Sequence, residues 1–365
     1  MDLVNKNILI ISPQKWGTMM LSKHHYSIEL AKRGNTVYFL NPPDNLGNKP
    51  FISIESSDEI KNLFIIHHTL FFTYKIKYHA VSLFHFLIRF HINKIIKKIG
   101  LEIDIVWSFD IENLYPFYLF PRSTFKIYHP MDEPQHKQAI KAANGANLIL
   151  SVTKEILEKY KVYEANKFLI NHGLSSEFFI KRYSDRKSDR IKIGYSGNLR
   201  RKDIDWKTVF EIVDNNKGIE FIFFGTYNLE DPAIMQLFKY DNVQLYGKVS
   251  TKELAIEFQS IDGFLICYDV ALDPSGGTNY HKIIEYLSTG KVVVSNNVKC
   301  YEDRSDLVQM PISLDNKDLP GLFKSVINNL DQHNSIELQS IRKTYAFENL
   351  YSKQIERINS ILKNY

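Results

Sequence analysis

Five small or turn-forming residues, Pro274-Ser-Gly-Gly-Thr278, stand just before a helix-forming stretch that carries Lys282 and Glu285. Glycine at 276 and 277 lets the backbone approach a ligand closely. The leading N–H groups of a helix lie at the positive end of its dipole, so this segment suits phosphate oxygens. A flexible turn would use the same residues. His129 and Asp132 follow a short apolar run, Phe125-Lys-Ile-Tyr128. An imidazole takes up a proton near neutral pH, and an ionised carboxylate accepts one from a hydroxyl. Both residue types also end strands as plain turn residues. Asp203 and Asp205 have the spacing of a metal-binding carboxylate pair, but they open the helix that begins at Trp206, where acidic residues suit the dipole. No metal ion and no cofactor is expected.

The elements that must position these residues alternate. A continuous apolar run, Asn7–Ser12, reads as a parallel strand covered on both faces. A loop with Gly17 and Thr18 follows, then a helix over Leu21–Lys32, the turn at Gly34 and a strand at Thr36–Asn41. Strand, helix, turn and strand make a βαβ unit with a right-handed crossover. Further strands are predicted at 63–66, 103–107, 125–128, 147–151 and 167–170. After a polar stretch the pattern restarts, with strands at 191–196, 220–224, 243–246, 263–267 and 291–295. Helices fit at 206–215, 251–259 and 281–289, and a last one at 347–362. Two α/β blocks predict two Rossmann-like, doubly wound parallel-sheet domains facing a cleft. Their predicted bounds are 1–173 and 191–346, joined by a linker at 174–190. The final helix, 347–365, is expected to pack back on the first domain.

A chain of 365 residues suits two such cores. Cys267 and Cys300 have no disulfide or zinc spacing. The start lacks a signal-peptide pattern, and no apolar run reaches the ~20 residues of a membrane span, so a cytoplasmic protein is expected. Charge is uneven. Residues 1–98 hold 13 basic and 6 acidic side chains, and 61–101 hold seven basic and none acidic. Such a field draws phosphate-bearing partners or an anionic membrane. No nucleic-acid motif is present, and no Gly-x-Gly-x-x-Gly follows the first strand, which argues against a dinucleotide oxidoreductase.

The blocks Ile10-Ile-Ser-Pro13, Trp16-Gly17 and His25-Tyr-Ser-Ile-Glu-Leu-Ala-Lys-Arg-Gly34 resemble the opening of GT-B glycosyltransferases of the group 1, family 4-like type. Ile193-Gly-Tyr-Ser-Gly-Asn-Leu199, Phe221-Ile-Phe-Phe-Gly225 and Val243-Gln-Leu-Tyr-Gly247 agree with it. So does Asn279-Tyr-His-Lys-Ile-Ile-Glu-Tyr-Leu-Ser-Thr-Gly-Lys-Val-Val-Val294, which is similar to the family's Lys-x-x-Glu-Tyr-Leu signature, with Val292 where Pro is usual.

The resemblance implies transfer of a sugar from a UDP- or GDP-sugar to a glycan or lipid-linked glycan, in bacterial surface polysaccharide assembly, with retention of configuration and no metal. It implies that Glu285 accepts hydrogen bonds from the ribose hydroxyls, and that Arg200 and Lys202, with Arg201 as a third candidate, neutralise the departing diphosphate. It places Gly197, Asn198, Gly225, Tyr246, Gly247, Gly276, Gly277, Thr278 and Lys282 around the donor. His129 and Asp132 would serve the sugar in the cleft, and Gly17 and Thr18 would rim the acceptor side. His172-Gly173 is similar to the family's hinge element. Two departures stand out: Gly277 replaces a Glu found in many retaining members, and Asn198 replaces an Arg.

The segment 78–100 is basic and apolar together. Phe84, Ile88, Ile92, Ile95 and Ile99 form one helical stripe, which either lies on an anionic membrane or packs on the sheet. Two other functions remain open: a nucleotide-sugar-binding protein without catalysis, and a nucleotide-sugar epimerase of the same fold.

Overall fold

The computed structural model describes residues 1–17, 20–44, 51–180 and 190–365, without the side chains of Lys137 and Gln138. The chain forms two compact units. The first comprises Met1–Asn171 with Tyr351–Tyr365, and the second comprises His172–Leu350.

The first unit is built on eight strands: β1 (Asn7–Ile11), β2 (Thr36–Leu40), β3 (Ile52–Ser56), β4 (Leu63–His68), β5 (Ile105–Ser108), β6 (Phe125–Tyr128), β7 (Leu148–Ser151) and β8 (Asn166–Leu169). Their order is β3-β4-β2-β1-β5-β6-β7-β8. All pairs are parallel except β3–β4. The antiparallel β3 has no counterpart among the predicted strands; as a half-exposed edge strand it lacks the continuous apolar run that marks the others. The order reverses between β1 and β5, so the carboxyl ends of these two strands flank the switch point.

Helices cover both faces. On one, Phe84, Ile88, Ile92, Ile95 and Ile99 of the helix Val81–Ile99 are buried in the core, so the stripe read from the sequence faces inward. On the other, the helix Ser22–Lys32 packs with Tyr351–Leu362. Tyr351, Ile355, Ile358 and Leu362 join Ile8, Tyr26 and Leu30 in one core. Burying each such side chain is worth roughly 1.5–3 kcal/mol. Tyr351 also donates to Ser22 Oγ at 3.0 Å, and the Met1 amino group meets the Leu362 carbonyl at 2.8 Å.

The second unit holds six parallel strands: β9 (Lys192–Ser196), β10 (Glu220–Phe224), β11 (Val243–Gly247), β12 (Gly263–Ile266), β13 (Val292–Ser295) and β14 (Val308–Gln309). Their order, β11-β10-β9-β12-β13-β14, reverses between β9 and β12. The boundaries differ from the predicted ones. Leu174 and Phe178 belong to this unit's core, and Leu174 N–H bonds the Asn349 carbonyl at 2.8 Å, so the described part of 174–190 is packed chain rather than a free connection. Residues 181–189 lie outside the described residues. The predicted helix 347–362 is in fact two, Ile336–Glu348 and Tyr351–Leu362. They are parted where Asn349 Nδ2 turns back onto the Tyr345 carbonyl at 2.8 Å. The Asp-x-Asp pair is engaged: Asp203 pairs with Arg201, and Asp205 caps the helix Trp206–Asn215 through the Thr208 N–H at 3.1 Å.

Candidate active site

In the second unit, side chains converge at the carboxyl ends of β9, β10 and β12. β9, buried from Ile193 onward, ends at Ser196, whose N–H donates to the Tyr286 hydroxyl at 2.7 Å. The Tyr286 ring stacks on Phe264 at 4.1 Å. This contact fixes the helix His281–Leu287 over the strand ends, and Lys282 lies one turn before Tyr286 on the same face. Lys282 Nζ donates to the Tyr268 hydroxyl and sits over the Tyr195 and Tyr268 rings at 4.2 and 5.0 Å. Tyr195 and Tyr268 share a hydrogen bond of 2.9 Å. Lys282 forms no ion pair among the described residues, so its charge faces the strand ends rather than a carboxylate.

Glycine is required here. Gly197 has φ +147°, and a Cβ on it would stand 2.5 Å from Lys282 Nζ. Gly225 has φ +138°, and a Cβ there would overlap the Gly197 carbonyl oxygen. The backbone links Gly197 N–H to Phe224 O at 2.8 Å and Gly225 N–H to Gly247 O at 2.7 Å. Asn198 Oδ1 accepts from Arg200 N–H and from Thr226 Oγ1, both at 3.0 Å, so Asn198 shapes this turn. Tyr246 is exposed beside Phe224.

Glu285 lies three residues beyond Lys282. Its Oε1 is 3.4 Å from His281 Nδ1, while His281 Nε2 meets the Gly173 carbonyl at 3.1 Å. Burial pushes the Glu285 carboxyl up, against the opposing pull of His281 and Lys282. His172 packs edge-on against His281 at 5.2 Å.

The glycine-rich loop differs from a waiting phosphate seat. Asp273 takes the N–H of Ser275 at 3.0 Å and of Gly277 at 3.1 Å, and its own carbonyl takes that of Gly276 at 2.9 Å. Thr278 Oγ1 turns back to the Ser275 carbonyl at 3.0 Å. The loop amides are thus bonded within the loop. Burial would raise the Asp273 carboxyl, but hydrogen bonds from Ser275, Tyr280 and Gly277 hold it below the usual range. Gly277 has φ +68°, and a Cβ there would come 3.1 Å from the Asn297 carbonyl, so this backbone has no place for a glutamate.

Of the three basic loop residues, Arg201 is the ordered one. Its Nε donates to Asp203 at 2.9 Å, its Nη2 reaches Asp203 and, at 3.4 Å, Asp273, and the guanidinium lies 4.7 Å over the Tyr268 ring. It ties two loops together. Arg200 and Lys202 are exposed. Sequence reasoning did not assign Tyr195, Tyr268, Asp273 or His281 to the site. Their signal was position alone, at strand ends and at the helix start.

In the first unit, His129 is fully buried, against Tyr26, Phe109 and Trp107 at 5.3, 5.2 and 5.9 Å. Trp107 Nε1 donates to its Nδ1 at 3.3 Å, so the ring proton sits on Nε2, which finds no partner among the described residues. Burial pushes its pKa down to about 3. Asp132 is exposed, and Gly17 is open to solvent. Thr18 lies outside the described residues. Sequence reasoning also missed Lys23, a buried lysine in the first helical turn whose Nζ meets Gln14 Oε1. Burial lowers its pKa to about 8, and Asp132 opposes that shift.

No family model matches the sequence, and no curated protein is a detectable relative of it. Solved structures do match over nearly the whole chain. A sucrose-phosphate synthase from Thermosynechococcus elongatus superposes with a TM-score of 0.70 at 11% identity, over 98% of each chain. Anabaena HepE, solved in complex with UDP and glucose, gives 0.70 at 13%, covering 99% of this chain and 100% of that one. A glycosyltransferase from Rickettsia africae gives 0.69 at 14%, covering 99% and 98%. The fold is GT-B. In this GT-B chain the Lys282–Glu285 face lies in the second Rossmann-like unit, and the His129 and Asp132 segment in the first.

Proposed function

We propose that the chain is a glycosyltransferase whose second unit binds a nucleotide-sugar and whose first unit binds a hydroxyl acceptor. The observation that carries this reading is a cation and a carboxylate on one helix face at the switch point of β9 and β12: Lys282 Nζ, unpaired with acid and beside Gly197, and Glu285 three residues on. The ammonium suits a diphosphate and the carboxylate suits a ribose diol. In the transfer, the acceptor oxygen bonds to the anomeric carbon and the bond from that carbon to the diphosphate breaks. The electron pair leaves with the nucleoside diphosphate, and the hydroxyl proton passes to a base or to the departing phosphate. Lys282 would stabilise the charge that builds there.

UDP- and GDP-sugars are the proposed donors, with no metal ion: Asp203 and Asp205 already serve Arg201 and a helix cap. Retention of configuration follows from the family resemblance. A glycan or lipid-linked glycan of surface polysaccharide is the proposed acceptor.

The test is thermal melting with UDP, GDP, ADP, CMP and their sugars, for the natural chain and Glu285→Ala. A nucleoside diphosphate should raise the midpoint of the natural chain by mass action and move the variant less. If none of the nucleotides shifts the melt, the reading is wrong. A second reading, binding without turnover, is favoured by the left-handed Gly277, at the position where many retaining members of the family that the sequence resembles carry a glutamate. Release of nucleoside diphosphate on addition of an acceptor would exclude it.

A further inference from the structure

The helix Val81–Ile99 carries a second apolar face. Opposite its buried side, Leu83, Phe86 and Phe90 are 48%, 58% and 47% exposed. Spacings of three and four residues continue the same stripe to the exposed Lys94 and Lys97. The Phe86 and Phe90 rings meet edge-on at 4.9 Å. Tyr78 and Val81, 65% and 43% exposed, extend the apolar end. Single exposed hydrophobics need no explanation, but a contiguous stripe with aromatic members does.

We propose that this face docks on an anionic lipid bilayer. The first argument is charge: residues 61–101 carry seven basic side chains and no acidic one. Lys94 and Lys97 can reach lipid phosphates while the phenylalanines enter the boundary between headgroups and chains. The second argument is direction. Because β4 and β5 are parallel in one sheet, the helix between them runs back against the strands. Its Val81 end therefore lies at the carboxyl edge, where β1 and β6 lead into Gly17 and His129. The apolar end is thus at the edge where an acceptor would bind, and the lysines trail away from it. A second copy is the poorer occupant, since self-pairing would oppose two basic segments. No helix among the described residues is long and apolar enough to cross a membrane, so the contact is peripheral. It does not depend on the donor chemistry.

The experiment is co-sedimentation of the full chain with phosphatidylcholine vesicles, alone or with 30 mol% phosphatidylglycerol, at low and high salt. The natural chain should pellet with the anionic vesicles at low salt and stay in the supernatant with the neutral ones. Lys94→Ala with Lys97→Ala should weaken the partition roughly fivefold per charge removed, and Phe86→Ser with Phe90→Ser should weaken it as well. All four positions are exposed, so the melting midpoint should hold. Equal sedimentation of the natural chain and both double variants would overturn the proposal, as would equal binding to neutral vesicles. A dimer that the Phe86→Ser, Phe90→Ser variant dissolves would assign the face to a second copy instead. Loss of vesicle binding with turnover of a soluble acceptor intact would separate this result from any failure of the transferase reading.

Discussion

His281 Nδ1 stands 3.4 Å from Glu285 Oε1, and the other nitrogen of the same ring faces the Gly173 carbonyl at 3.1 Å. A carbonyl oxygen only accepts, so Nε2 carries a proton. The ring's remaining nitrogen, Nδ1, faces the Glu285 carboxylate while Nε2 is tied to the backbone. One residue thus links the chain's entry into the second unit to the group assigned to the ribose.

Glu285→Gln should therefore separate function from stability. Burial raises this carboxyl above its ordinary pKa. An acid whose pKa is raised on folding costs stability once the pH climbs past its unfolded value, so its ionised form burdens the native state at neutral pH. The amide variant should melt higher without ligand, by roughly 2–4 °C for each kcal/mol relieved. It should also bind nucleoside diphosphate more weakly, by about 1.5–3 kcal/mol for lost bonds to a charged acceptor. Melting curves with and without nucleotide report both. A variant with lower stability and unchanged affinity would make Glu285 a structural residue.

Lys282→Met should reduce turnover about 100- to 1,000-fold, the scale expected for removing one positioned donor from a developing negative charge. Arg200→Ala with Lys202→Ala should cost less, because both side chains are exposed and neither is held by a side-chain hydrogen bond or ion pair among the described residues. Steady-state rates with saturating donor would check the ranking. The reverse order would return the diphosphate to the basic loop.

Gly225→Ala should be severely destabilising, by more than about 3 kcal/mol. The new Cβ would overlap the Gly197 carbonyl oxygen at a backbone φ of +138°. Denaturant melts of the second unit's signal measure the loss. A variant of natural stability would mean that β9 and β10 can part at their ends without cost.

Much of this arrangement was legible in the sequence. The continuous apolar runs at β1 and β12 mark parallel strands because both faces are covered. The spacing of Lys282, Glu285 and Tyr286 places them on one helix face before any fold is known. What stayed hidden depends on tertiary partners. Arg200, Arg201 and Lys202 are alike in sequence, and only Asp203 and Asp273 single out Arg201. The Gly276-Gly277 loop reads as open backbone, but an aspartate three residues upstream of Gly276 fills its amides. His129 reads as a strand-end base until Trp107 and Phe109 close over it. In the Val81–Ile99 helix two apolar stripes coexist, and periodicity cannot tell which one the sheet takes.

Acid should unfold the first unit before the second. Four of its histidines are buried with depressed pKa values: His24 and His68 at about 4, His91 and His129 at about 3. Desolvation is the main cause in each. In an unfolded chain a histidine titrates near 6.5. For a base whose pKa falls on folding, stability is whole above the unfolded value and is lost below it, because only the unfolded chain takes up the proton. Between about pH 6.5 and 4 each histidine then costs up to about 1.4 kcal/mol per pH unit. His68 and His91 reinforce this, since their 2.9 Å ring-to-ring bond needs at least one bare nitrogen. In the second unit, His333 is lowered only in direction, and it is partly exposed. Tryptophan fluorescence resolves the two events, with Trp107 beside His129 reporting the first unit and Trp206 the second. His129→Phe keeps an aromatic ring against Trp107, removes the unpartnered Nε2 and should move the first transition to lower pH. If both units unfold together, or if the variant leaves the first midpoint where it was, the buried histidines do not govern acid stability.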